Sequence, residues 1–107
     1  LNKKTDQINT LETKINDTKQ KIAEAENFLS DSYKENATRQ IQIEQQQLEV
    51  FQRMYASDPS EANKALVDGS KSRIDKLNNN IKSAEENLPG LKAKLADLQA
   101  QLSELQK

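Results

Sequence analysis

The 107-residue chain has no cysteine, no histidine and no tryptophan, only two glycines and two prolines, and 4% aromatic residues. Without cysteine there are no disulfides and no thiolate chemistry, and nothing marks the redox compartment. Without histidine as well, zinc sites of the usual kind and a histidine general base are both excluded. Charge of one sign is also missing: 16 basic and 17 acidic residues are interspersed, for a formal net of -1. No block of like charge can follow a phosphate backbone or an anionic lipid surface, so nucleic acid and membrane headgroups are not expected partners. No stretch approaches the roughly 20 apolar residues of a membrane span, and no signal peptide is visible at the start. A first residue of Leu1 rather than Met suggests a segment of a larger protein.

What remains is a composition of 34% hydrophobic and 31% charged residues, which suits long helices but also suits a disordered chain. The apolar pattern decides between them. Leu1, Ile8, Ile15, Ile22, Leu29, Ile43 and Val50 recur every seven positions, with Asn36 as the one polar member, and read as the a row of a heptad. The matching d row is softer, because Leu11 and Ala25 are apolar whereas Thr18, Ser32, Arg39, Gln46 and Arg53 are not. After residue 60 both rows are strong: Val67, Ile74, Ile81, Leu88, Leu95 and Leu102 form one, and Leu77, Ala84, Leu91, Leu98 and Leu105, with polar Ser70, form the other.

Between the two series lies Ala56-Ser57-Asp58-Pro59-Ser60-Glu61. There Asp58 suits a helix cap, Pro59 a first helical position, and Glu61 the third residue of a capping box. The expected fold is therefore all-α: a long antiparallel two-helix coiled-coil hairpin spanning 1–107 as one module. Helix 1 is expected over about 3–56, the turn over about 57–59 and helix 2 over about 60–106. Inside helix 2, Pro89-Gly90 carries a cost of about 3 plus about 1 kcal/mol. Leu88, Leu91 and Leu95 keep their spacing across it, which predicts a kinked but continuous helix.

Antiparallel pairing in which facing residue numbers add to 113 places Ile8 with Leu105, Leu11 with Leu102, Ile15 with Leu98, Thr18 with Leu95, Ile22 with Leu91 and Ala25 with Leu88. Small residues then meet large ones, as close packing requires. Leu29 with Ala84 and Ser32 with Ile81 continue the rule, whereas Asn36 with Leu77, Arg39 with Ile74, Ile43 with Ser70 and Gln46 with Val67 make a poorer mid-section. A slip of one heptad keeps a facing d row but enlarges the turn. At about 1.5 Å per residue the arm would be roughly 75 Å long.

A second apolar row, Ile41, Leu48, Phe51 and Tyr55, lies off this seam on the expected back of helix 1. An exposed stripe of this kind marks a contact surface, and these four residues are the expected partner-binding set. The alternatives are packing within the chain, for instance on Ala62, Ala65 and Leu66, and burial against a second copy or a neighbouring domain of the larger protein. Asn36 at an a position either pins register or is a solvated defect. The Gln40, Gln42 and Gln45 to Gln47 patch reads as a solvated face. Carboxylate pairs such as Glu85-Glu86 lack the concave, partly dry setting that catalysis needs. No enzyme, cofactor, metal or small-molecule substrate is expected.

The general form is similar to the coiled-coil hairpins of periplasmic adaptor proteins and to the helical arms of secreted bacterial translocators and surface adhesins. The likeness is one of architecture. Residues Tyr55 to Glu61 do not carry the Arg and Leu signature of adaptor tips, so docking on an outer-membrane channel is not implied. The absence of Cys with abundant Asn, Gln and Lys leans toward a bacterial protein outside the cytoplasm, on the surface, secreted or periplasmic. The expected function is a non-enzymatic protein-protein interaction arm of a larger protein. The alternative is a structural spacer that self-associates into a four-helix assembly.

Overall fold

A computed structural model describes residues 2–107, with side chains from residue 3 onward, and these residues are almost wholly helical. The a-row expectation at Leu1 lies outside the described residues. In chain order the elements are α1 (Asn2–Phe28), α2 (Asp31–Ser57) and α3 (Glu61–Gln106). The chain divides into two units, the first made of residues up to Leu29 together with Ala84–Lys107, the second of Ser30–Ser83.

The span expected as one helix over 3–56 is thus two helices, and local chemistry explains the division. The N–H of Leu29 closes the last turn of α1 on the carbonyls of Ala25 and Glu26, both at 3.2 Å. Ser30 then adopts extended backbone (φ -66°, ψ 149°) and caps α2, its hydroxyl accepting from the N–H of Tyr33 at 3.2 Å. Asp31 follows in the first turn, where the helix dipole favours negative charge.

At the other end of α2 the break expected near residue 58 is present, but its caps are shifted. Asp58 ends α2, its N–H donating to the Met54 carbonyl at 2.9 Å. The residue that caps α3 is Ser60, whose hydroxyl accepts from the Asn63 N–H at 3.2 Å while its carbonyl receives the Lys64 N–H at 3.0 Å. Pro59 therefore sits in the loop and not at the first helical position, and Glu61 begins the helix instead of closing a capping box. The side chain of Asn63 ties the turn together by donating to the carbonyls of Asp58 (2.9 Å) and Met54 (3.4 Å).

The core of the first unit is apolar. Leu11, Ile15, Ile22, Ala25, Ala84 and Leu98 are buried, and Leu11, Ile15 and Leu98 form a cluster against which Leu95, Leu102 and Leu105 pack. Thr18, the polar member of the d row, is buried to 2% exposure, and its hydroxyl is satisfied by the Lys14 carbonyl at 2.8 Å. That bond to the preceding turn lets a polar side chain occupy a seam without an orphaned donor. α3 runs unbroken through Pro89 and Gly90, both exposed.

In the second unit the facing side of α2 differs from the expectation. Ala37 is buried, Ile41, Glu44, Leu48 and Phe51 are half-buried, and the expected seam residues Ser32, Asn36, Arg39, Ile43, Gln46, Val50 and Arg53 are all exposed. A heptad continued from Ile22 and Leu29 would reach 36, 43 and 50, whereas the observed row passes through 41 and 48, two residues early. Each residue turns a helix by about 100°, so a two-residue advance rotates the facing stripe by roughly 200°, close to the opposite side. The restart at Ser30 permits this change of phase, because a new helix need not inherit the phase of the one before it. The pairing of Ser32, Asn36, Arg39 and Gln46 with α3 is accordingly corrected, and exposed Asn36 is no register pin. On α3, Val67 and Ser70 are buried and Ile74, Leu77 and Ile81 are half-buried.

Away from the turn, side-chain polar contacts also join α2 to α3 in this unit. Arg73 Nε donates to Glu44 Oε1 at 2.9 Å, and Asn80 Nδ2 donates to Tyr33 Oη at 3.3 Å. Residue numbers rise along α2 as they fall along α3.

Candidate partner-contact surface

The expected partner-binding residues divide when placed on the structure. Ile41, Leu48 and Phe51 are half-buried on the side of α2 that also carries buried Ala37. They form the inner face of the helix and not its back. Tyr55, one turn past Phe51, is exposed. It borders a groove of about 330 Å³ with Gln52 of α2 and Lys64, Val67, Asp68 and Lys71 of α3.

The apolar residues that do face outward are the ones assigned to the seam. Ile43 is 55% exposed, Val50 48% and Met54 41%, at spacings of seven and four along α2, so they share one face. Leu66, on α3 and seven residues before Arg73, is the other exposed large aliphatic side chain among the described residues. Together with Tyr55, all the exposed large hydrophobic side chains of the described residues fall between positions 43 and 66, in the second unit and around the Asp58–Ser60 turn. Among its described residues the first unit exposes none of this kind.

The signal that could have located this face was present at Ser30-Asp31-Ser32, a cap residue followed by an acidic first turn. The seven- and fourteen-residue spacing of Ile22, Leu29 and Ile43 masks it.

Among the described residues no three acidic side chains converge in a way that would hold a metal ion. No described helix is long and apolar enough to cross a membrane. The amides of Gln40, Gln46 and Gln47 are exposed beside Ile43 and Val50, so the apolar row is bordered by groups that can donate and accept hydrogen bonds, the mixture found at interfaces that form and dissolve. No protein-family model matches the chain, and no curated protein and no solved structure matches it either.

Proposed function

We propose that this chain is a non-enzymatic protein-protein interaction arm of a larger protein, of the bacterial surface or secretion type. Its helices form an antiparallel coiled-coil hairpin with a bend at Pro89, where the ring crowds the preceding turn and no N–H is available to the ladder. The partner is met through the Ile43, Val50 and Met54 face with Tyr55 and Leu66, while Ile41, Leu48 and Phe51 hold α2 to α3 beneath it. One observation carries this reading: among the described residues the exposed large hydrophobic side chains are confined to positions 43–66, the stretch of the second unit that contains the turn. Isolated exposed apolar residues need no explanation, but a row at helical spacing beside a turn is the pattern of a contact surface.

The test is a double substitution, Val50→Ser with Met54→Ser, together with a photo-crosslinker placed at Ile43. Loss of the crosslinked complex with unchanged helicity and melting temperature supports the reading. Crosslinking as efficient from Glu24, on an exposed face of α1, would count against it. Self-association into a four-helix assembly is distinguished by sedimentation over a wide concentration range, since it requires a dimer that the same double substitution dissolves.

A further inference from the structure

The α2 seam of the second unit contains a carboxylate where its neighbours are apolar. Glu44 stands between Ile41 and Leu48, at spacings of three and four, and its side chain is only 18% exposed. Oε1 accepts from Arg73 Nε at 2.9 Å, whereas Oε2 is buried without a hydrogen-bond partner. Arg73 is held in turn, its Nη2 donating at 3.1 Å to the hydroxyl of Ser70, which is wholly buried. Gly69 leaves room for the guanidinium: a Cβ at that position would stand 3.3 Å from Arg73 Nη1.

A layer of this composition is a poor way to gain stability. It desolvates a charge, leaves one of its oxygens unanswered, and occupies a place where a leucine would pack. Its effect is on alignment. The apolar seam of α3 is repetitive, with Ile74 and Ile81 seven residues apart and Leu77 between them. If α2 slid along α3 by one heptad, Ile41, Leu48 and Phe51 would again find apolar partners, so burial alone distinguishes the two alignments weakly.

The edge of α3 that reaches across to α2 is not repetitive. Its row reads Leu66, Arg73, Asn80 at intervals of seven, and both Arg73 and Asn80 make the interhelical contacts described above. A slide by one heptad in either direction must draw chain from the end of α2 or the start of α3, because the three-residue turn cannot bridge the added offset of about 10 Å. One direction sets Glu44 against Asn80 in place of Arg73, and the other sets it against Leu66. The half-buried carboxylate then loses its countercharge.

We propose that the Glu44–Arg73 pair, seated on Ser70, is the register key of the second unit. It selects one alignment of α2 on α3 by penalising the heptad-slipped alternative, and so decides which exposed residues of the two helices stand side by side. The inference stands independently of the identity of any partner.

The absence of native cysteine allows a direct test. Spin labels attached through Gln42→Cys and Lys71→Cys, both exposed positions, report a one-heptad slip as a change of about 10 Å in axial offset. With Glu44 and Arg73 intact, a single narrow distance is expected. Glu44→Leu is expected to give a folded, fully helical chain with a second, longer distance, and Arg73→Leu to do the same. The exchange Glu44→Arg with Arg73→Glu should restore the single distance. A single unshifted distance in folded Glu44→Leu, or failure of the charge exchange to restore it, overturns the proposal. Should Arg73→Leu fold poorly, Glu44→Leu, which adds apolar surface to the seam, still decides the matter.

Discussion

Ile41 and Ile43 offer a controlled comparison, because the same substitution two residues apart tests which face of α2 is inside. Ile41 is half-buried on the inner row and Ile43 is 55% exposed. Replacing either by alanine removes the same atoms and gains a few tenths of a kcal/mol in helix propensity. A fully buried Ile→Ala costs about 2–5 kcal/mol. Scaling for partial burial, Ile41→Ala should cost about 1–2 kcal/mol after the propensity gain is subtracted. For Ile43→Ala the loss of burial is small and the propensity gain offsets it, leaving a change within about 0.5 kcal/mol of zero. If the chain melts as one cooperative transition, this corresponds to a fall of roughly 4–16 °C for Ile41→Ala and almost none for Ile43→Ala. Thermal unfolding followed by circular dichroism, with urea midpoints as a check, measures both. The heptad continued from α1 predicts the reverse order. If Ile43→Ala proved the more destabilising of the two, the inner face assigned to α2 would be wrong.

Other substitutions test the remaining elements. Ser30→Ala and Ser60→Ala each remove a hydroxyl that accepts from a helix N-terminal N–H, and each should lower stability by about 1 kcal/mol in urea unfolding. Asp58→Ala should cost less than Ser60→Ala, because Asp58 ends α2 through its backbone N–H and its side chain is not the cap of α3. Gly90→Ala should raise stability by up to about 1 kcal/mol, since neither glycine has positive φ and a Cβ at Gly90 meets nothing within 4 Å. Gly69→Ala should gain measurably less, because its Cβ would press on Arg73. Equal gains at the two glycines would show that the guanidinium yields freely.

Much of the fold is legible from residue spacing. The rows Val67 to Leu102 and Leu77 to Leu105 leave little choice of inner face for α3, since the apolar residues there lie almost entirely on one stripe. Leu11, Ile15, Ile22 and Ala25 do the same for α1, and the restart near residue 58 follows from Asp, Pro and Ser placed together. The cap itself was displaced by two residues because Asp58 and Ser60 have similar side-chain chemistry, and only the hydrogen bonds of the folded turn separate them.

α2 is the element whose sequence is ambiguous. It carries two apolar rows, Ile43 with Val50 and Ile41 with Leu48 and Tyr55, and each satisfies a seven-residue period. Periodicity establishes that a helix forms and that one side of it is buried; it does not choose between two sides that are almost equally apolar. The choice was made at Ser30, where a new cap released α2 from the phase of α1, and at the contact with α3, where Glu44 meets Arg73 and Ala37 finds burial. Helicity is a property of local spacing and backbone propensity, so the sequence alone determined it. Which face looks inward depends on what stands opposite, and only the packed pair of helices decided that.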